Sequence, residues 1–318
     1  MTPAGKEGPE KIMLTVEKLE KALQEQGYIC DREQVLTFYL ALRLEKPLLV
    51  EGPPGVGKTE VAKALAGALD LELIRLQCYE GLDETRALYE WNYQKQLLKI
   101  ELARGSSNSQ LLEKDLFDAD YLLERPLLKA IRAEKKVVLL IDEVDKTDPE
   151  FEAFLFELLA EFQVSIPELG TLKARHIPVV VLTSNAEREL SDGLKRRCLY
   201  LYLDYPSVEK EARILRARLP EVGEELARQI ARAVNYIRTH QHLKKKPSIA
   251  ETLDWARALV ALHARDLTPE LIGETMGVLL KNREDQEMLK GKLDEMVREL
   301  QEGAGAFACS CAHHRRGA

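Results

Sequence analysis

Residues 52–59 read GPPGVGKT and fit the pattern G-x-x-x-x-G-K-[ST] in full. In such a loop, glycines let backbone N–H groups turn inward around phosphate oxygens, and the following helix N-terminus adds a positive dipole. Lys58 would reach the β and γ phosphates of a nucleoside triphosphate, and Thr59 would be a ligand of Mg²⁺. The predicted phosphate contacts are Gly52, Pro53, Pro54, Gly55, Val56, Gly57, Lys58 and Thr59. A Gly-rich turn without a ligand is the alternative.

Two acids follow the apolar run in LLIDEVDK, residues 139–146. At the carboxyl end of a buried strand, Asp142 and Glu143 can both face the crevice where ligands bind in open α/β sheets. Asp142 would hold Mg²⁺ through its water shell, and Glu143 would orient and polarise an attacking water. An acidic loop at a strand end is the alternative, but the phosphate loop favours hydrolysis of the triphosphate.

The segment VLTSN places Asn185 at the tip of another apolar run. Its amide could contact the γ-phosphate or align the water, although Asn is equally an ordinary turn residue. Thr183 and Ser184 are weaker candidates. A few residues on, Arg196 and Arg197 stand at the start of the alternating run CLYLYL, where a pair of arginines is usually solvated surface.

Five apolar segments are predicted to be the strands that position these groups. They are LLV before the loop and the segments within residues 71–77, 136–146, 177–185 and 198–206. Helical stretches separate them, which is typical of parallel strands buried on both faces. After Val208 the strand signals stop, and helices with charged outer faces follow. The predicted fold is therefore an α/β sandwich with a parallel sheet, followed by an all-helical lid. The predicted divisions are 1–30 (N-terminal extension and helix), 31–206 (nucleotide-binding domain), 207–296 (lid) and 297–318 (flexible tail).

Composition limits the function classes. The chain has 318 residues, 45% of them hydrophobic, with a net charge of −7. That balance argues against a nucleic-acid-coating protein. Five scattered cysteines do not make a disulfide scaffold, and no apolar run reaches the roughly 20 residues of a membrane span. The expected location is the cytoplasm.

Taken in this order, the motifs resemble those of the AAA+ ATPases, and more narrowly the MoxR-type branch that includes the accessory ATPase of carbon monoxide dehydrogenase maturation. The matching segments are GPPGVGKTEVAKALA, LLIDEVDKTDPEFEAFLFELLAEFQ, VVVLTSNAERELSDGLKRRC and DYPSVEKEARIL. The resemblance implies ATP and Mg²⁺, a homo-hexameric ring with ATP at subunit interfaces, and an arginine that reaches the neighbouring subunit's ATP. Arg197 is the favoured finger and Arg196 the alternative.

Two segments resemble hairpin inserts of this branch, at residues 78–100 and 162–185, the second with PELG as its turn. In rings, such hairpins line the pore and can grip a substrate. Tyr89, Trp91 and Tyr93 are the candidate grip, although their alternation is equally typical of a half-buried strand, and core packing is slightly favoured.

The lid departs from the related pattern. Related lids often begin a late helix with Ser-Pro-Arg, whose arginine senses the nucleotide. Here Ser248 is kept, but Ile249 and Ala250 replace the Pro and Arg, so the lid sensor is absent or moved. Arg257, two helical turns on, is equally a structural surface residue.

Two other patterns are weak. The stretch HLKKKP, residues 242–247, could attract phosphate backbones but lacks interleaved aromatics. The tail carries Cys309, Cys311, His313 and His314, whose spacing matches no closed zinc site.

Three functions compete. The leading hypothesis is an ATP-driven remodelling chaperone that acts on a protein client, for instance during metal-cofactor insertion, and the resemblance implies a partner with a von Willebrand factor A domain. The alternative is a motor or clamp-loader-like ATPase that acts on DNA. A nucleotide-gated scaffold with little turnover is the third, and Glu143 and Arg197 argue against it.

Overall fold

A computed structural model describes residues 14–104, 118–166, 169–240 and 243–299. The elements follow in the order α1 (Val16–Glu25), α2 (Arg32–Leu44), β1 (Leu48–Glu51), α3 (Lys58–Leu69), β2 (Glu72–Gln77), α4 (Glu84–Ala87), β3 (Tyr89–Trp91), α5 (Tyr93–Arg104), β4 (Leu122–Glu124), α6 (Pro126–Arg132), β5 (Val137–Asp142), α7 (Pro149–Glu161), β6 (Gln163–Ile166), β7 (Gly170–Lys173), β8 (Val179–Ser184), α8 (Asp192–Arg197), β9 (Leu199–Tyr202), α9 (Val208–Arg218), α10 (Glu224–His240), α11 (Ile249–Ala261), α12 (Pro269–Leu279) and α13 (Arg283–Lys290). Short 3₁₀ turns lie at Ala119–Tyr121 and Val144–Lys146.

The central sheet has five parallel strands in the order β2-β5-β8-β1-β9, which confirms the five predicted strands. All residues of β5 and β8 are buried, as expected for continuous apolar runs covered on both faces. The strands are in register at their carboxyl ends, where Gln77 pairs with Asp142 and Glu51 pairs with Ser184. The loops after these strands therefore meet at one edge.

Helices cover both faces of the sheet. On one face, Leu23, Phe38 and Leu65 of α1, α2 and α3 pack with Val50 and other strand residues. On the other face, α6, α7 and α8 supply a second core, which includes Leu128, Leu155 and Leu194. The predicted α/β sandwich is confirmed. Helix α1, which the sequence divisions place in the extension 1–30, has Leu23 fully buried in this core.

After β9 the described chain continues only as helices, as predicted. Helices α9 to α13 enclose a core of their own around Trp255, which is fully buried. Its indole N–H donates a hydrogen bond to Thr275 Oγ1 at 2.8 Å. This helical region has enough apolar contacts to form a separate layer beside the sandwich, and residues 203–207 connect the two.

The two inserts differ in their outcome. Strands β6 and β7 form the predicted antiparallel hairpin, with Gln163 opposite Lys173, and the PELG turn is described only at Leu169 and Gly170. The hairpin predicted within residues 78–100 is wrong, because β3 pairs with β4 at 122–124 and α5 occupies residues 93–104. A β-partner beyond a helix leaves no local turn signal in the sequence.

The three candidate grip residues differ in their burial. Trp91 is 8% exposed and belongs to the core, while Tyr89 packs edge-on against it with ring centroids 6.1 Å apart. Tyr93 is 61% exposed. Core packing is thus confirmed for Trp91, and Tyr93 is the candidate that remains accessible.

Candidate active site

The phosphate loop connects β1 to α3 in a compact turn. A side chain at Gly52 would place its Cβ only 2.0 Å from the carbonyl oxygen of Leu203, and one at Gly55 would place it 2.3 Å from Ser248 Cβ. Only glycine permits these approaches. The loop is therefore pressed against the segment after β9 on one side and against the start of α11 on the other.

Lys58 lies inside this loop and is 6% exposed. Its Nζ donates hydrogen bonds to the carbonyl oxygens of Gly52 at 2.7 Å and Pro53 at 2.8 Å. Burial lowers the pKa of Lys58, and the charges of Asp145 and Glu143 partly offset that effect. A confined ammonium group at the first turn of α3 suits the binding of phosphate oxygens.

Thr59 and Asp142 bring oxygen atoms together beside the loop. Thr59 Oγ1 donates to Asp142 Oδ1 at 3.0 Å, and Thr183 Oγ1 donates to the same oxygen at 2.6 Å. Arg75 Nη2 lies 2.5 Å from Asp142 Oδ2. A hydroxyl and a carboxylate are hard oxygen ligands of the type that Mg²⁺ prefers, so the donor set fits that ion.

Glu143 reaches the crevice through an unusual backbone. Its φ of 59° lies in the left-handed region, which breaks the alternation of β5 and allows the carboxylates of adjacent residues to share one side. Its N–H donates to Thr183 Oγ1 at 2.8 Å. Its carboxylate accepts hydrogen bonds from Lys146 Nζ at 2.6 Å and Gln77 Nε2 at 3.0 Å. The hydrogen bond to Glu143 raises the pKa of Lys146.

Asn185 follows β8 at the same edge, half-buried. Its backbone N–H and that of Glu187 both donate to Asp145 Oδ2 at 3.0 Å, and Ala186 between them has a φ of 59°. Asp145 is 3% exposed, and its Oδ1 has no hydrogen-bond partner within the described part of the chain. Asp145 therefore fixes the loop that carries Asn185.

The arginine pair lies directly before the last strand, as the sequence pattern predicts. Arg196 and Arg197 end helix α8, which the pattern did not predict, and β9 begins at Leu199. The Arg197 guanidinium stacks on the Phe156 ring, 4.6 Å from its centroid, and Arg196 is exposed. Within the described residues, neither arginine makes an ion pair with Asp142 or Glu143. The pair is not assembled into the site of its own chain.

A mostly apolar cavity of about 340 Å³ adjoins the phosphate loop. The sandwich contributes the backbone of Gly55–Gly57 together with Tyr28 and Ile29, and the helical region contributes Ile214, Ile249 and Leu253. The polar side chains that line it are Gln34, Glu60, Asp204, Lys210, Arg218 and Arg257.

The helical region contacts the loop directly. The N–H of Ile249 donates to the carbonyl oxygen of Gly55 at 3.2 Å. Ser248 caps α11, with Glu251 Oε2 accepting its N–H at 2.7 Å. The stretch that lacks the Pro and Arg of related lids is therefore the part that touches the phosphate loop.

Side chains join the same two parts. Arg218 of α9 pairs with Glu60 of α3 at 2.8 Å, and Lys210 pairs with Asp31 at 2.6 Å. Arg257, left open as a surface residue, pairs with Asp254 at 2.8 Å and lines the cavity. Cations from α9 and α11 thus surround the cavity without a Ser-Pro-Arg sequence.

Sequence reasoning missed several of these neighbours. Arg75 and Gln77 alternate with buried residues along β2 and read as an ordinary solvated face. The feature that could have indicated a role in the site is their position at the carboxyl end of β2, the strand that pairs with β5. Thr183 was a weak candidate for a phosphate contact, and the structure instead makes it a bridge between Asp142 and Glu143.

Two lysines of the basic patch at residues 242–247 lie beside acidic side chains. Lys244 pairs with Glu284 at 2.8 Å and Lys245 lies 3.8 Å from Glu251, so acids partly neutralise the basic patch. The tail with Cys309, Cys311, His313 and His314 lies outside the described residues. No helix in the described ranges has the length and apolarity needed to cross a bilayer.

Comparison with known proteins identifies relatives of part of the chain. Residues 47–198 match the family model described as an AAA domain of the dynein-related subfamily. Chaperone protein ClpB 2 of Parasynechococcus marenigrum is 33% identical over 134 residues, which is 42% of this chain and 13% of that protein. Gas vesicle ATPase GvpN of Haloferax mediterranei is 26% identical over 208 residues, 62% of this chain and 58% of that protein. The chain thus spans less than two thirds of the length of either relative.

Among solved structures, a RuvB variant from Thermotoga maritima is similar at a TM-score of 0.46 and 18% identity, over 84% of this chain and 71% of that chain.

Proposed function

We propose that this chain hydrolyses ATP to ADP and phosphate at the edge of the sheet where β1, β5 and β8 end. One observation carries the proposal, namely that Lys58 and Thr59 of the phosphate loop meet Asp142 and Glu143 of the segment after β5, with Thr183 of β8 joining the two acids. Phosphate binding alone would not require the second acid. The match of residues 47–198 to an AAA domain supports the same reading.

In the proposed complex, the triphosphate lies along residues 52–59 with the base in the neighbouring cavity. The N-terminus of α3 and Lys58 offset the phosphate charge. Thr59 and Asp142 would hold Mg²⁺, which when bound neutralises charge on the β and γ phosphates. The confined Lys58 and the adjacent oxygen donors are the features of this chain that fit both groups.

Glu143 is the proposed group that activates water. Its carboxylate accepts a proton from the water as the oxygen attacks the γ-phosphorus, and the bond to the bridging oxygen breaks to leave ADP. Lys146 and Gln77 hold the carboxylate at 2.6 and 3.0 Å, and the Thr183 contact fixes its backbone. Asn185 would orient the water or the γ-phosphate from the far side.

The arginine would come from a neighbouring subunit. A guanidinium beside the γ-phosphate neutralises the charge that develops in the transition state, and its supply from another chain links hydrolysis to assembly. Arg197 is the proposed finger and Arg196 the alternative, with a homo-hexameric ring as the assembly. The exposed end of α8, away from the site of its own chain, supports supply in trans.

At the level of the whole protein, we propose a remodelling ATPase of the MoxR type in the cytoplasm. It would act on a protein client together with a von Willebrand factor A partner and would assist the maturation of a carbon monoxide dehydrogenase-like metalloenzyme. The similarity to a chaperone protein and to a gas vesicle ATPase supports a protein client.

Two measurements test these proposals. The purified chain should release phosphate from ATP in the presence of Mg²⁺, and absence of release at every protein concentration would contradict hydrolysis. Affinity capture with the Glu143→Gln variant and ATP should retain a von Willebrand factor A protein and a metalloenzyme subunit. Capture of nuclease-sensitive complexes instead would favour the DNA-acting alternative.

A further inference from the structure

Arg75, on the edge strand β2, forms an ion pair with Asp142, the acid that would hold Mg²⁺. Arg75 lies two residues before the end of this strand, and β2 pairs with β5 so that Gln77 stands opposite Asp142. The Arg75 guanidinium lies 2.5 Å from Asp142 Oδ2, with side-chain exposures of 50% for Arg75 and 4% for Asp142. A half-exposed cation is therefore in contact with a buried anion.

The partners of Asp142 show why this contact matters. Oδ1 accepts hydrogen bonds from Thr183 at 2.6 Å and Thr59 at 3.0 Å, while Oδ2 accepts from Arg75 and, at 3.3 Å, from Thr59. Both hydroxyls are neutral. Among the described residues, Arg75 is the one cation that forms an ion pair with this carboxylate. Both carboxylate oxygens therefore already have hydrogen-bond donors within the chain.

We propose that Arg75 competes with the divalent cation for Asp142 and so sets how much Mg²⁺ the site requires. The inference rests on the proposed function in one respect, that Mg²⁺ binds at Thr59 and Asp142. Asp142 would hold the cation with its carboxylate lone pairs, and Arg75 now engages part of these at Oδ2. Like charges in one low-dielectric site also repel.

Arg75 is the partner that is able to withdraw. Thr183 is fully buried and also holds Glu143, so it cannot leave without disturbing the strand end. Arg75 is half-exposed, and it already makes a second short contact with Gln77 Oε1. Withdrawal toward Gln77 and solvent costs it little burial.

The proposal predicts two opposite effects of removing the charge. Without a divalent cation, Arg75 offsets the repulsion between Asp142 and the triphosphate, so its loss weakens binding. With the cation present, Arg75 opposes it, so its loss lowers the Mg²⁺ concentration that the site needs. If the ion pair only stabilised the fold, removing Arg75 would not have opposite effects without and with Mg²⁺. It would also not lower the Mg²⁺ concentration that the site needs.

The test is binding of a fluorescent ATP analogue to the full chain, first in EDTA and then across a MgCl₂ titration. Arg75→Gln should bind several-fold more weakly in EDTA, and its half-saturating Mg²⁺ concentration should be several-fold lower than that of the unaltered chain. Lys129→Gln is the matched control, because it breaks the 2.6 Å pair with Glu72 at the other end of the same strand. This control should behave as the unaltered chain in both series.

Several outcomes would overturn the inference. An unchanged or higher Mg²⁺ requirement in Arg75→Gln means that Arg75 organises the site rather than competing for it. If Arg75→Gln fails to fold, Arg75→Lys keeps the charge without the fork and should shift the requirement in the same direction but less. If the unaltered chain binds no ATP analogue under either condition, the proposed function fails first, and that result is distinct from binding with unchanged Mg²⁺ dependence.

Discussion

Asp145 accepts the backbone N–H of Asn185 at 3.0 Å, so an acid from the segment after β5 positions the residue that follows β8. The same Oδ2 also accepts the N–H of Glu187, which closes the turn around the left-handed Ala186. The loop after β8 is thus built on the segment after β5. Two hydrogen bonds to one carboxylate oxygen therefore join the two segments that bear the candidate catalytic groups.

Asp145→Ala should slow hydrolysis by roughly tenfold to a hundredfold, because a displaced Asn185 no longer aligns the reacting groups. ATP affinity should change less than the rate, because the Asp145 side chain hydrogen-bonds to the loop after β8, and its influence on Lys58 is through charge alone. Steady-state phosphate release separates the effect on kcat from that on KM. Asp145→Asn keeps an acceptor oxygen and should recover part of the rate, and equal losses in both variants would contradict a positioning role.

Glu143→Gln should bind ATP normally and hydrolyse it roughly 10²- to 10⁴-fold more slowly, because the amide cannot take the proton from water. Nucleotide binding by fluorescence and phosphate release would be measured on the same sample. Glu150→Gln changes an exposed acid of α7 and serves as the control. Hydrolysis retained in Glu143→Gln would exclude this residue as the base.

Lys58→Ala should lower ATP affinity by at least about 100-fold, because charge-assisted hydrogen bonds of about 3 kcal/mol in total are lost. It should not destabilise the unliganded fold at neutral pH. Burial lowers the pKa of Lys58, so the protonated lysine opposes folding below its unfolded pKa, and its contribution improves only as the pH rises past the lowered value. Lys63→Ala, on the exposed face of α3, is the control for thermal unfolding and binding.

Arg197→Ala should bind ATP as an isolated subunit yet hydrolyse it roughly 10³-fold more slowly in the assembly, the range expected for an arginine supplied in trans. Mixing Arg197→Ala subunits with Glu143→Gln subunits should restore measurable activity, because some interfaces then combine an intact arginine with an intact glutamate. If Arg196→Ala loses activity and Arg197→Ala does not, Arg196 is the finger. If neither matters, the model of catalysis in trans is wrong.

Ile249→Pro should weaken ATP binding by up to about tenfold, the worth of one hydrogen bond between the helical region and the loop. Proline has no N–H to donate to Gly55, yet it suits the first turn of α11, so the helix itself should persist. Ile249→Ala keeps the N–H and should bind ATP like the unaltered chain. Equal weakening in both variants would assign the effect to the lost isoleucine side chain.

The sequence predicted the sheet and the phosphate loop because their signals are local. Continuous apolar runs such as VVLLI mark strands covered on both faces, and the spacing within GPPGVGKT is dictated by a turn around phosphate. Asp142 and Glu143 follow from their place at a strand end. That both face the crevice depends on the left-handed backbone of Glu143, which no pattern announces.

The rest depends on pairings between distant segments. Arg75 and Gln77 became part of the site only through the register of β2 with β5, and β3 found its partner beyond helix α5. Helix α8, which ends at the arginine pair, was not predicted because its six residues are too few to show a helical period. For Arg75, Gln77 and β3 the deciding contact joins residues far apart in the chain, where propensity and periodicity carry no information.

The cavity beside the phosphate loop is walled jointly by the sandwich and the helical region, and this has a mechanical consequence. A ligand there adheres to both walls, so its binding energy resists any force that draws the helical region away. Thermodynamic linkage is reciprocal. If bound ligand makes separation of the two parts less favourable by some factor, then separation of the two parts lowers the ligand's affinity by that same factor. Tension on such a molecule would itself promote nucleotide release.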